Sequence, residues 1–202
     1  GVIRPGTVTA FAGPSGAGKS TLVACLLSDI TPDAGQIRLR AQASSRDDEG
    51  LALTDVDPTS WRSAISWVPQ SPTLVPGTIL DNMGDLPQRD LDEAARATGF
   101  DAVLATTPDG WNSTIGSGGV GLSVGQRQRL ALTRALAARS QVVVLDEPTA
   151  HLDAVSEETV VRAIHAMREE GRTVIVIAHR NAIIEVADTI IDVAHADEEA
   201  LA

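Results

Sequence analysis

Tyrosine is absent from this 202-residue sequence, and only two phenylalanines and one cysteine occur. A single cysteine, Cys25, excludes an internal disulfide, which fits a reducing compartment. Cys25 lies in an apolar helical run and is expected to be a plain buried thiol. No apolar run approaches the roughly 18–20 residues that cross a bilayer. Residues 1–6 hold no signal-peptide pattern, so these residues alone are expected to be soluble. Basic residues are also few. Sixteen Lys and Arg stand against 27 Asp and Glu, for a net charge of −11. Nucleic-acid binding draws most of its affinity from Lys and Arg on phosphates, so DNA or RNA is not expected as the main partner. What remains is ordinary for a globular chain: 43% hydrophobic and 21% charged residues can bury a core. The length suits one domain with a small attached subdomain.

Three short, nearly continuous, mostly β-branched runs read as strands covered on both faces: Val8 to Ala12, Val142 to Leu145 and Thr173 to Ala178. Helical patterns lie between them, at Ser20 to Asp29, about Ser123 to Ala138, and Ser156 to Glu170. The last has acids at its start, Val160, Ile164 and Met167 on one face, and Gly171 at its end. Strands alternating with helices imply an α/β fold with a mostly parallel sheet and flanking helices. Residues 80–115 read as mostly helical without a convincing strand, Leu91 to Thr98 being the clearest segment. An inserted helical subdomain is therefore expected over approximately 80–138. Residues 41–50 are polar and read as a surface loop, and 195–202 as a frayed acidic tail.

Two motifs carry chemistry. Gly13-Pro14-Ser15-Gly16-Ala17-Gly18-Lys19-Ser20, followed by Thr21, fits G-x-x-x-x-G-K-[ST] between a predicted strand and a predicted helix. Such a loop curls its backbone N–H groups and a helix N-terminus toward phosphate oxygens. Lys19 is expected to reach the β- and γ-phosphates of ATP, and Ser20 to offer a hydroxyl to Mg²⁺. The second motif is Asp146-Glu147 at the end of a hydrophobic run, which places two acids at the sheet's ligand-binding edge. Asp146 is expected on Mg²⁺, and Glu147 as general base toward water. Together the motifs define a P-loop NTPase.

Further residues name a family. Leu122-Ser123-Val124-Gly125-Gln126 resembles the LSGGQ signature of ABC ATPases, with Val124 in place of a Gly. Read alone, Ser123 and Gln126 have the spacing of a helix capping box. Gln70 matches the Q-loop, Ala150-His151-Leu152-Asp153 the D-loop, and His179 the switch histidine, all in the family's order. The resemblance to ABC transporter ATP-binding domains covers nearly the whole chain. It implies an ATPase working as a head-to-tail domain dimer. In that dimer, Ser123, Gly125, Gln126 and Asp153 meet the partner's ATP, Gln70 reaches Mg²⁺ and His179 contacts the γ-phosphate. Catalysis is then assigned to Glu147, His179 and Gln70, and the metal to Ser20, Gln70 and Asp146.

Leu74 to Asn82 and Thr114 to Gly119 resemble exporter segments, although Ser117 stands where a Glu is usual. Three stretches, around Trp61 and Gln70, around the signature and at Pro148 to Asp153, resemble heterodimeric bacterial exporters of cysteine or glutathione that support cytochrome bd assembly. The resemblance implies fused transmembrane domains, a second ABC ATPase domain as partner, and a place at the cytoplasmic face of the inner membrane. The alternatives are a soluble ABC-type ATPase of repair or ribosomes, or a catalytically subordinate half of a heterodimer. The family's adenine-stacking aromatic has no counterpart in residues 1–12, so N-terminal truncation and weakened nucleotide affinity are expected. Trp61, Trp67 and Trp111 are expected to pack rather than bind ligand. Arg127, Arg129, Arg134 and Arg139 are expected on a solvated face, with partner contact as the alternative.

Overall fold

A computed structural model describes residues 1–40, 49–149, 154–178 and 181–193. In chain order the elements are β1 (Val8–Ala12), α1 (Lys19–Leu26), β2 (Arg38–Leu39), β3 (Leu51–Ala52), α2 (Pro58–Ser63), β4 (Ile65–Val68), β5 (Gly77–Thr78), α3 (Gln88–Ala97), α4 (Asp101–Leu104), β6 (Thr114–Ile115), α5 (Val124–Ala137), β7 (Val142–Asp146), α6 (Ala154–Glu169), β8 (Thr173–Ile177), α7 (Asn181–Glu185) and β9 (Thr189–Asp192).

Five strands form one sheet in the order β4-β7-β8-β1-β9, with every neighbour parallel. Parallel strands are buried on both faces, and this explains why β1, β7 and β8 are apolar without alternation. Val143 and Leu145 point to one face, where they join Val174 and Val176 beneath Leu130 and Leu132 of α5 and Ile164 and Met167 of α6. Val144 points to the other, with Ile175 and Ile177, under Val23 and Leu26 of α1. The expected α/β architecture is present.

The structure adds elements and corrects several readings. The sequence pattern misses strands β4 and β9; both are four residues long, β4 with a serine inside it and β9 with polar residues at both ends. Within the stretch read as strand-free, β6 pairs antiparallel with β5. Trp61 and Trp111 pack as expected. The Trp61 indole N–H donates to Leu26 O at 2.6 Å, and Trp111 lies 5.9 Å from the Phe100 ring and donates to Asp92. Trp67 packs only in part: it stands on β4, an edge strand, and is 44% exposed. The arginines of α5, with Arg139 just beyond its end, are not a simple solvated face. Arg127 bonds Leu122 O, Arg134 bonds Asn82 O, and Arg139 pairs with Asp90 and Glu93 of α3. Cys25 is a free, buried thiol. Most of the expected 41–50 loop and the tail from 195 lie outside the described residues.

Candidate active site

The sheet order decides what meets what. Open parallel sheets bind ligands beyond the carboxyl ends of their strands. At that edge β1 runs into the phosphate loop, β7 ends in Asp146 and Glu147, and Gln70 follows β4 by two residues. Because β7 pairs with both β4 and β8, Gln70 arrives beside the two acids.

The phosphate loop uses glycine where backbone geometry demands it. Gly13 has φ 149°, and a Cβ there would lie 2.3 Å from Val193 O. Gly18 caps α1 in the left-handed region at φ 91°, with no side-chain cap. A Cβ on Gly16 or Gly18 meets nothing within 4 Å, so at these two positions the positive φ, 83° and 91°, and not crowding is what favours glycine. Lys19, the one lysine in the sequence, is 5% exposed. Its ammonium turns back into the loop and donates to Gly13 O at 2.9 Å and Pro14 O at 2.7 Å. Pro14, Ser15, Ser20 and Thr21 are exposed there, with Ala17 partly so.

Glu147 is a non-glycine residue at φ 46°, a conformation that costs on the order of 1–3 kcal/mol and persists only when neighbours enforce it. Its N–H is held by Ile177 O of β8 at 3.1 Å. Its carboxylate Oε2 accepts from Gln70 Nε2 at 2.9 Å. Asp146 is half-buried. Burial, then the Glu147 charge, raise its carboxyl above the ordinary 3.8, against an opposing pull from Lys19.

The donor set fits Mg²⁺. The Ser20 hydroxyl, Gln70 carbonyl oxygen and Asp146 carboxylate are hard oxygen ligands, and Mg²⁺ takes few protein ligands when phosphates supply the rest.

Ser123, Gly125 and Gln126 are not drawn into this group. They start α5, which packs on α3, α6 and β4. Ser123 Oγ accepts from Gln126 N and Gln126 Oε1 from Ser123 N, so the capping box is real. Val124, in place of the usual Gly, is half exposed. Asp153 and His179 lie outside the described residues.

Sequence reasoning missed how α1 is secured. Arg62 donates to Leu27 O, Ser28 O and Asp29, beside the Trp61 bond to Leu26 O. These bonds tie the rear of the phosphate helix to α2, which leads into β4 and Gln70. The Asp57-Pro58 helix start was the available signal: Asp57 caps α2 by accepting from Ser60 N.

The ABC transporter family model matches residues 2–150. The chain is 40% identical over 192 residues to the ATP-dependent lipid A-core flippase of Burkholderia pseudomallei (strain 1710b), covering 94% of this chain and 30% of that protein. It is 37% identical over 192 residues to the multidrug resistance ABC transporter ATP-binding and permease protein of Lactococcus lactis subsp. lactis (strain IL1403), covering 93% and 31%. It is 38% identical over 194 residues to the mycobactin import ATP-binding/permease protein IrtB of Mycolicibacterium thermoresistibile, covering 94% and 32%. Among solved structures, a bacterial Atm1-family ABC exporter with ATP bound superposes with a TM-score of 0.83 at 32% identity, over 94% of this chain and 32% of that one. The chain thus spans about a third of the length of these relatives. No helix among the described residues is long and apolar enough to cross a membrane. With Gly13 to Ser20, the Asp146–Glu147 pair and Gln70 gathered at one sheet edge, the chain belongs to the ABC transporter family and is an ATP-binding, ATPase domain.

Proposed function

We propose that this domain is the ATP-hydrolysing motor of an exporter, working head to tail with a second ABC ATPase domain. The observation that carries the reading is the Gln70–Glu147 hydrogen bond beside Asp146, at the edge where β1 delivers the phosphate loop. In this reading Lys19 leaves the Gly13 and Pro14 carbonyls and turns to the β- and γ-phosphates, while loop N–H groups hold the remaining oxygens. Ser20, Asp146 and Gln70 hold Mg²⁺, which when bound neutralises phosphate charge. Glu147 takes the proton of the attacking water, and its enforced backbone keeps the carboxylate at the γ-phosphate side. The Gln70 bond occupies one carboxylate oxygen of Glu147 and orients the group, with Oε1 accepting the proton. Ser123, Gly125 and Gln126, with Asp153, complete the partner's site, and His179 steadies the γ-phosphate. Catalysis of this kind is positioning and charge stabilisation.

Residues 80–138 form the helical subdomain that carries the signature. Transmembrane domains are fused to this domain in a longer chain, at the cytoplasmic face of the membrane. The exporter-like segments, together with the flippase, the multidrug transporter and the Atm1-family exporter among the relatives, support an export motor, and the three stretches around Trp61, the signature and Pro148 support a cysteine or glutathione cargo with a heterodimeric partner. Thiol uptake into inverted vesicles tests the cargo, and loss of uptake selectivity for thiols over other cargoes sinks it.

The test of the motor is Glu147→Gln in the full-length protein. ATP hydrolysis is expected to fall by at least about 100-fold, in the range of losing a general base. ATP is expected to stay bound through gel filtration as an occluded pair. Hydrolysis at the wild-type rate would remove Glu147 from the base role.

A further inference from the structure

One buried cation takes no part in the chemistry above. Arg172 is 3% exposed, and its guanidinium spends its donors on backbone. Nε donates to Ser140 O at 2.8 Å, Nη1 to Leu136 O at 3.1 Å and Nη2 to Ala135 O at 2.7 Å. Glu170 pairs with it at 3.5 Å. Ala135 and Leu136 belong to the last turn of α5, whose final carbonyls have no partner within the helix. A cation there also complements the negative end of the helix dipole.

The backbone of Arg172 performs a second task. Its N–H donates to Met167 O while Gly171 N–H, at φ 75°, donates to Arg168 O, closing the end of α6. The next residue opens β8. One residue therefore joins the rear of α5, the rear of α6, the turn into β7 and the start of β8. All four lie at the edge where β7 and β8 begin, opposite the nucleotide edge.

The front ends of the same two helices are the functional ones. Helix α5 begins with Ser123 and Gly125, and α6 follows directly on the stretch that includes Asp153. A helix of 14 residues spans roughly 21 Å, so a small loss of register at its rear displaces its front. We propose that Arg172 is a positioning residue for the composite ATP site: it fixes the rear of α5 and α6 so that their front ends meet the nucleotide held by a partner domain. This rests on the dimer reading above. A guanidinium suits the task because its planar fork reaches three carbonyls in fixed directions, and an ammonium does not.

The experiment uses the full-length protein in the Glu147→Gln background, with occluded ATP as the readout. Arg172→Lys and Arg172→Met are compared with the parent, and unoccluded ATP affinity and melting temperature are measured alongside. Arg172→Lys keeps a buried cation and serves where Arg172→Met fails to fold. Occlusion is expected to weaken by about 10- to 100-fold, the scale of a remote misplacement of reacting groups. Affinity for unoccluded ATP, which draws on this domain's own nucleotide edge and not on the front ends of α5 and α6, is expected to hold within about twofold, and Arg172→Lys to lie between Arg172→Met and the parent. Unchanged occlusion in both variants overturns the proposal. So does an equal loss of unoccluded affinity and occlusion, which marks a merely structural residue. Failure of the Glu147→Gln parent itself to occlude ATP overturns the dimer reading, and the proposal with it.

Discussion

Asp146 pairs function with a stability cost. Its carboxyl is raised by burial first and by the Glu147 charge second. A carboxyl raised on folding binds its proton more tightly in the folded state. The stability it contributes is present below the unfolded value and is lost as pH rises through the folded one. At neutral pH the ionised group therefore weighs against the metal-free, nucleotide-free fold. Asp146→Asn is expected to raise the melting temperature of that state at pH 7 while abolishing hydrolysis. A lower melting temperature would show that the charge is compensated. Gly13 predicts the opposite sign. Gly13→Ala forces a Cβ to within 2.3 Å of Val193 O at φ 149°, so loss of both stability and ATP binding is expected in equilibrium unfolding and nucleotide titration.

At the scale of elements, legibility followed burial. Strands β1, β7 and β8 are central, so their residues had to be apolar on both faces, and their runs stood out. Helix α5 announced its start through Ser123 and Gln126, and the capping box formed as read. Edge strands β4 and β9 need one apolar face at most, and their mixed residues concealed them. The clamp of Trp61 and Arg62 on the end of α1 joins residues about 35 positions apart, a pairing no local pattern encodes. Trp61→Phe removes one bond to a helix-terminal carbonyl and is expected to cost about 0.5–1.5 kcal/mol in chemical denaturation. An accompanying loss of ATP affinity would show that the clamp steadies the phosphate loop as well as the helix.

For the whole molecule, ligand binding and folding are one equilibrium. ATP at 100 times its dissociation constant is expected to stabilise the domain by about 2.7 kcal/mol. Lys19→Met should remove most of that shift in a thermal scan with and without ATP, since Lys19 is the sole lysine available to the phosphates. An undiminished shift would place the nucleotide elsewhere.

The sequence by itself determined the glycine-rich loop between β1 and α1, the acid pair at the end of β7, the capped start of α5 and the alternation of helices and strands. Each is local: turn geometry, capping and two-faced burial act over a few neighbouring residues, so their residue types appear in order along the chain. Only the tertiary structure decided that Gln70 bonds Glu147, that Glu147 adopts a left-handed backbone, and that Arg172 binds the ends of two helices. These depend on the strand order β4-β7-β8-β1, which is set by packing across the sheet between residues far apart in sequence.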